Sequence, residues 1–120
     1  MRKLQQRVDK WLRMTFDNAT ADDPRQRALR FLEEAIELVQ ATGTIDEEEA
    51  QGMVNYVYNR PKGDIRQEIA GTTFCLLGLA NVYSVNVKWA LSEELRRVSF
   101  PRVYQAIREK WRNKPEGVKE

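Results

Sequence analysis

The sequence has no histidine and only one cysteine, Cys75. The first absence removes the commonest general base, the Ser-His-Asp and Cys-His devices, and imidazole metal ligands. The second removes any internal disulfide and any cysteine-cluster zinc site, and it fits a reducing compartment. Chemistry here has to use carboxylates, amines, hydroxyls or oxygen-bound metals. A targeting segment is also missing: Met1–Lys10 is polar and lacks the apolar core of a signal peptide, so a cytoplasmic location is expected. Without a secretory signal the sequon Asn18-Ala19-Thr20 has no weight. Ile69–Val87 is uncharged for 19 residues but contains Thr72, Thr73, Asn81, Ser84 and Asn86. It reads as a helix buried inside a bundle rather than a membrane span, and no membrane partner is expected.

What is present fits a single folded unit. The chain has 120 residues, 42% apolar and 32% charged, enough for one domain with a core and too short for two ordinary ones. Net charge is +2, but residues 1–30 carry 8 basic and 4 acidic side chains, 31–70 carry 3 and 9, and 71–120 carry 9 and 5. No concentrated basic stripe appears, which argues against a nucleic-acid partner. An acidic middle between basic flanks suits a cation bound beside an anion; solvated helix faces account for it equally well.

Apolar spacing predicts helices throughout, with no alternating strand and no repeat. Leu4, Val8, Trp11, Leu12 and Phe16 define a first helix over 3–16, followed by a loop at 17–23. Asp23-Pro24 starts a second, which ends near Ala41 at a glycine cap on Gly43. Thr44 and Glu47 form a capping box for a third, stopped by Asn59–Gly63. Asp64 and Gln67 cap a fourth through the uncharged stretch to Tyr83; it is apolar on all sides and predicted to be the central helix. Asn86 can cap a fifth, and Ser99-Phe100-Pro101 either kinks it or starts a sixth. The expectation is an all-α bundle of five or six helices in one domain over residues 1–113, with a loose tail at 114–120. Met53, Val57, Trp89 and Trp111 have limited cover in such a bundle, so completion by a second copy is expected.

The carboxylates carry the chemical signal. In the second helix Phe31, Leu32, Ala35, Ile36, Leu38 and Val39 fill one arc, and Glu33, Glu34 and Glu37 lie on the other side. Glu34 and Glu37, three apart, project from neighbouring turns in the same general direction. Such a pair repels unless a cation lies between, and magnesium takes oxygen ligands in this manner. A Glu-rich solvated helix face is the simpler reading. Glu68 stands at the entrance of the most apolar helix, where a charge needs a partner. The helix's own N-terminus, an arginine such as Arg66 or Arg30, or a shared metal could serve.

Arg30-Phe-Leu-Glu-Glu-Ala-Ile-Glu-Leu-Val-Gln-Ala41, followed by Glu68-Ile-Ala-Gly71 opening a second apolar helix, resembles the MazG-like all-α nucleoside triphosphate pyrophosphohydrolases over residues 25–95. That family's signature is Glu-Glu-x-x-Glu on one helix and Glu-x-x-Asp on the next. The resemblance implies Mg²⁺, or Mn²⁺ in its place, held by Glu34, Glu37 and Glu68, with Glu33 as an accessory carboxylate for a second metal or the attacking water. It makes Glu33 and Glu34 the catalytic candidates and implies a homo-oligomer, dimer or tetramer. Gly71 stands where the family has its final aspartate, and 30 residues separate Glu37 from Glu68. Asp64, Asn81, Asn86 or water would fill that corner. Arg30, Arg66 and Arg97 are candidates to hold the remaining phosphates, and Trp11 or Phe16 could stack on a base. The implied activity converts a nucleoside triphosphate to the monophosphate and pyrophosphate. A catalytically inactive helical module that binds nucleotide or a protein partner is the alternative.

Overall fold

A computed structural model describes residues 2–113, so the tail expected at 114–120 lies outside the described residues. Every regular element among them is helical: α1 (Arg2–Thr15), α2 (Asn18–Asp22), α3 (Pro24–Thr42), α4 (Glu47–Tyr58), α5 (Ile65–Val82), α6 (Val87–Val98) and α7 (Pro101–Arg112). The all-α expectation holds, with seven helices described instead of five or six. No single helix among the described residues is long and apolar enough to cross a membrane.

The extra helix comes from an aspartate. Residues 17–23 read as a loop in sequence, but the Asp17 carboxylate accepts the Thr20 backbone N–H at 2.7 Å and caps one turn of helix. Those hydrogen bonds hold the Asp17 carboxyl below its ordinary pKa. Asp23 plays the same part for α3, accepting from the Arg25 N–H at 3.0 Å, with Pro24 at the first helical position. The α4 box forms two residues later than Thr44 and Glu47 would place it. Asp46 accepts from the Glu49 N–H at 2.8 Å and Glu49 accepts from the Asp46 N–H at 3.3 Å. The Thr44 hydroxyl instead lies 2.8 Å from that of Thr42. Between Val98 and Pro101 the chain breaks and starts anew, with Pro101 opening α7.

Helix ends follow the same local logic. α3 stops at Gly43, whose φ of 67° only glycine adopts freely. α5 ends in a six-to-one hydrogen bond from the Val85 N–H to the Ala80 carbonyl (3.0 Å), with the Ser84 N–H on the Asn81 carbonyl (3.2 Å). Ser84 therefore takes the left-handed position, with φ 56°.

The chain divides into two compact units, Met1–Glu34 with Lys88–Glu120, and Ala35–Val87. In the first unit Leu4, Ala21, Leu95 and Val98 are buried, along with Thr15 and Gln26. Polar atoms fix their neighbours: the Trp11 indole N–H donates to the Val98 carbonyl at 2.8 Å, and the Trp111 indole N–H donates to Gln26 Oε1 at 3.3 Å. Phe16 stands between the two indoles, with ring centroids 6.1 Å and 5.8 Å away. Arg108 donates to the Thr15 carbonyl at 2.8 Å, placing a cation at the negative end of α1. Arg13 joins α1 to α2 by bonding Asp9 and Asp22, and Asp22 is held below its ordinary pKa by that guanidinium.

The second unit contains the end of α3, α4 and α5. No residue of α4 or α5 is buried, and Ile65 and Phe74 are 79% and 77% exposed. The expected central helix is thus uncovered within one chain. Its apolar residues surround the whole circumference, and burying them takes more than the neighbours this chain supplies. Two substitutions test these assignments by urea unfolding. Ser84→Gly should raise stability by about 0.5–1 kcal/mol by relieving the left-handed serine. Leu95→Ala should lower it by about 2–4 kcal/mol, the range for emptying a core leucine site.

Candidate carboxylate site

α3 carries the acidic run on consecutive turns. Its hydrogen-bond ladder sets Glu33, Glu34 and Glu37 at fixed azimuths, so Glu34 and Glu37 are neighbours one turn apart. Glu33 is half-buried and paired with Arg30 across one turn at 3.3 Å. Arg30 in turn bears on Arg27: burial, then repulsion from Arg30, lowers the Arg27 pKa, and Asp23 opposes both. Arg27 lies over the Phe16 ring, 6.0 Å from its centroid, with Nε enclosed and without a hydrogen-bond partner.

Glu34 is exposed and faces a cation from another helix. Arg97 on α6 forks onto Glu94 with bonds of 2.7 Å and 3.0 Å. Glu94 raises the Arg97 pKa most, and the field of Glu34 adds to the rise. The Glu94 carboxyl is held below its ordinary pKa by the same fork, with burial opposing. Of the phosphate candidates, Arg30 is on α3 and pairs with Glu33, and Arg97 is on α6 with the charge of Glu34 adding to its field. Arg66 is exposed at the start of α5 and makes no ion pair among the described residues.

Glu37 and Glu68 are both exposed. Glu68 is not the N-cap of α5. Asp64 has that role, accepting from the Gln67 N–H at 3.0 Å, and the Glu68 carboxylate is folded against Gly63, where it occupies the space a Cβ would take. Gly71, one turn further on, has nothing within 4 Å of an added Cβ. Asn81 and Asn86 are exposed. Among the described residues no three acidic or thiol side chains gather tightly enough to hold a metal ion, so Glu34, Glu37 and Glu68 do not form such a group. The oxygen-only donor set suits magnesium. Glu34 and Glu37 lie one turn apart on α3, and Glu68 is on α5.

Sequence reasoning missed Arg7 and Lys10, which line a groove in the first unit with Trp11, Tyr104 and Arg108. Their three-residue spacing along one edge of the apolar stripe of α1 was the available signal. None of the four acidic candidates lines that groove or the neighbouring one beside Leu4, Val8 and Leu91. No protein-family model, curated protein or solved structure matches this chain.

The assignment of the cap and the free carboxylate leads to a simple contrast. Asp64→Ala should cost about 1 kcal/mol, as for other N-cap losses. Glu68→Gln should change stability by no more than about 0.5 kcal/mol, as for surface positions. Urea unfolding in the presence of a chelator measures both; a larger loss for Glu68→Gln would make it a structural residue.

Proposed function

We propose that this chain is a magnesium-dependent nucleoside triphosphate pyrophosphohydrolase acting as a homo-oligomer, dimer or tetramer, with manganese able to replace magnesium. The observation that carries the reading is the acidic run of α3 with a guanidinium at its start: Glu34 and Glu37 lie one turn apart, and Arg30 pairs with Glu33 at 3.3 Å. A triphosphate needs this mixture, oxygen ligands for a divalent cation next to a guanidinium for the phosphate oxygens the metal leaves unneutralised. The likeness of residues 30–41 and 68–71 to the MazG-like enzymes points the same way.

In this reading Glu34, Glu37 and Glu68 hold the metal, which when bound neutralises phosphate oxygens and makes a water acidic enough to attack. Glu33 takes a proton from that water. Its ion pair with Arg30 orients it along the helix. Arg97 and Arg30 hold phosphate oxygens, and Arg66 stands ready at the start of α5. A second reading, an inactive module that binds nucleotide or a protein, is favoured by Gly71, which offers no ligand where a carboxylate would complete the set.

Self-association follows from the uncovered second unit. Phe74, Ile69, Met53 and Val57 are exposed, as is Trp89, whereas Trp111 is covered by Gln26 and Phe16 within the first unit. Added Cβ atoms at Gly52, Gly71 and Gly78 meet nothing in one chain, so these helices leave room for another backbone to approach. At about 25 cal/mol per Å² of apolar surface, covering α5 alone is worth several kcal/mol.

Two measurements test the proposal. A panel of nucleoside triphosphates with Mg²⁺ or Mn²⁺ should give monophosphate and pyrophosphate. Glu37→Gln and Glu68→Gln should reduce turnover by about 100-fold or more while leaving the metal-free protein equally or more stable, since like charges repel there. Full turnover in both variants would remove the metal assignment. Light scattering at tens of micromolar should report a dimer or larger. Gly71→Ala should weaken the assembly if a partner packs there, and raise helix stability by about 0.5–1 kcal/mol if the face is free.

A further inference from the structure

We propose that the groove formed by α1, the end of α6 and α7 is a binding site for the phosphate group of a small phosphorylated molecule. It is separate from the carboxylates of α3 and does not depend on their proposed role. The cavity has a volume of about 410 Å³ and is lined by Arg7, Lys10, Trp11, Ser99, Tyr104 and Arg108, among others. That volume lies within the ordinary range of small-molecule pockets. Among the described residues no carboxylate lines it.

Three cations from two helices thus share one concavity. Three arginines elsewhere are held in ion pairs: Arg13 with Asp9 and Asp22, Arg30 with Glu33, and Arg97 with Glu94. Arg7, Lys10 and Arg108 have no ion pair among the described residues. Bringing like charges to one cavity raises their mutual repulsion, and a bound dianion relieves it. Arg108 is already positioned for such a ligand. Its Nε donates to the Thr15 carbonyl at 2.8 Å and its guanidinium lies over the Tyr104 ring, 5.6 Å from the centroid. Little side-chain freedom remains to be lost on binding.

The hydrogen-bond inventory narrows the ligand. The Trp11 indole N–H is committed to the Val98 carbonyl, and the Ser99 hydroxyl donates to the Leu95 carbonyl at 2.6 Å. Neither is available to donate to an anion, which leaves the three cationic side chains with the Tyr104 and Thr15 hydroxyls as donors. Three cations in one concavity favour a compact, multiply charged oxyanion over a neutral or singly charged molecule. The indole and phenol walls accept an apolar body attached to it.

The test uses inorganic phosphate and pyrophosphate as probes on the full chain, with a chelator present and ionic strength held constant with sodium chloride. Saturable binding should move the Trp11 indole N–H resonance, and pyrophosphate should bind more tightly than phosphate. Arg7→Gln and Lys10→Gln should each weaken binding at least five-fold with unchanged helical content, whereas Glu34→Gln should leave it unaltered. Arg108→Lys, which keeps the charge and removes the fork, should weaken it as well. The proposal is overturned if chloride moves the resonance as far as pyrophosphate does, or if Arg7→Gln and Lys10→Gln bind like the wild type. Tighter binding of a short oligonucleotide than of pyrophosphate, lost in the same variants, would overturn the small-molecule assignment.

Discussion

The hydrogen bond from the Trp11 indole to the Val98 carbonyl, 2.8 Å long between residues 87 positions apart, is the tie on which the first unit depends. It brings α1 to the end of α6, where Leu95 and Val98 supply buried apolar surface. Phe16 and Trp111 extend the seam, and Arg108 closes the C-terminal end of α1. A carbonyl at the end of a helix has no intrahelical partner, so an indole or guanidinium that reaches it stabilises two elements together. Without that tie Trp11 and the apolar stripe of α1 would face water.

Local chemistry made most helices legible in the sequence. Asp23-Pro24, Gly43 and Asp64 act where side-chain acceptors and left-handed glycine require them, and the apolar spacing of α1 located it to within a residue. The misplacements were also local. Asp17 outcompeted the polar composition of its segment and made a helix, and Asp46, not Thr44, caps α4, its carboxylate accepting the Glu49 N–H. Burial was less legible. A helix apolar on every side reads as central, yet periodicity reports only how much surface needs covering, and it leaves open whether the same chain covers it.

The candidate site divides along similar lines. Glu33, Glu34 and Glu37 were legible because one helix fixes their mutual placement. Glu68 belongs to a different helix, and no pattern within the sequence states the distance between the two. Likewise, Arg97 stood out among the many arginines only when α6 brought it into the field of Glu34. The reading of Glu68 as a possible cap gave way to Asp64, whose carboxylate precedes the first turn at the correct position.

A ribosome releases Trp11 long before Val98 or Arg108 has been made. Throughout synthesis of residues 35–87 the indole and the end of α1 lack the carbonyl and guanidinium that secure them in the finished protein. Meanwhile α4 and α5, each capped by its own aspartate, can form as they emerge. The unit that holds Trp11 is thus completed only after α4 and α5 have been made, and Trp11 lacks its carbonyl partner throughout the synthesis of residues 12–97.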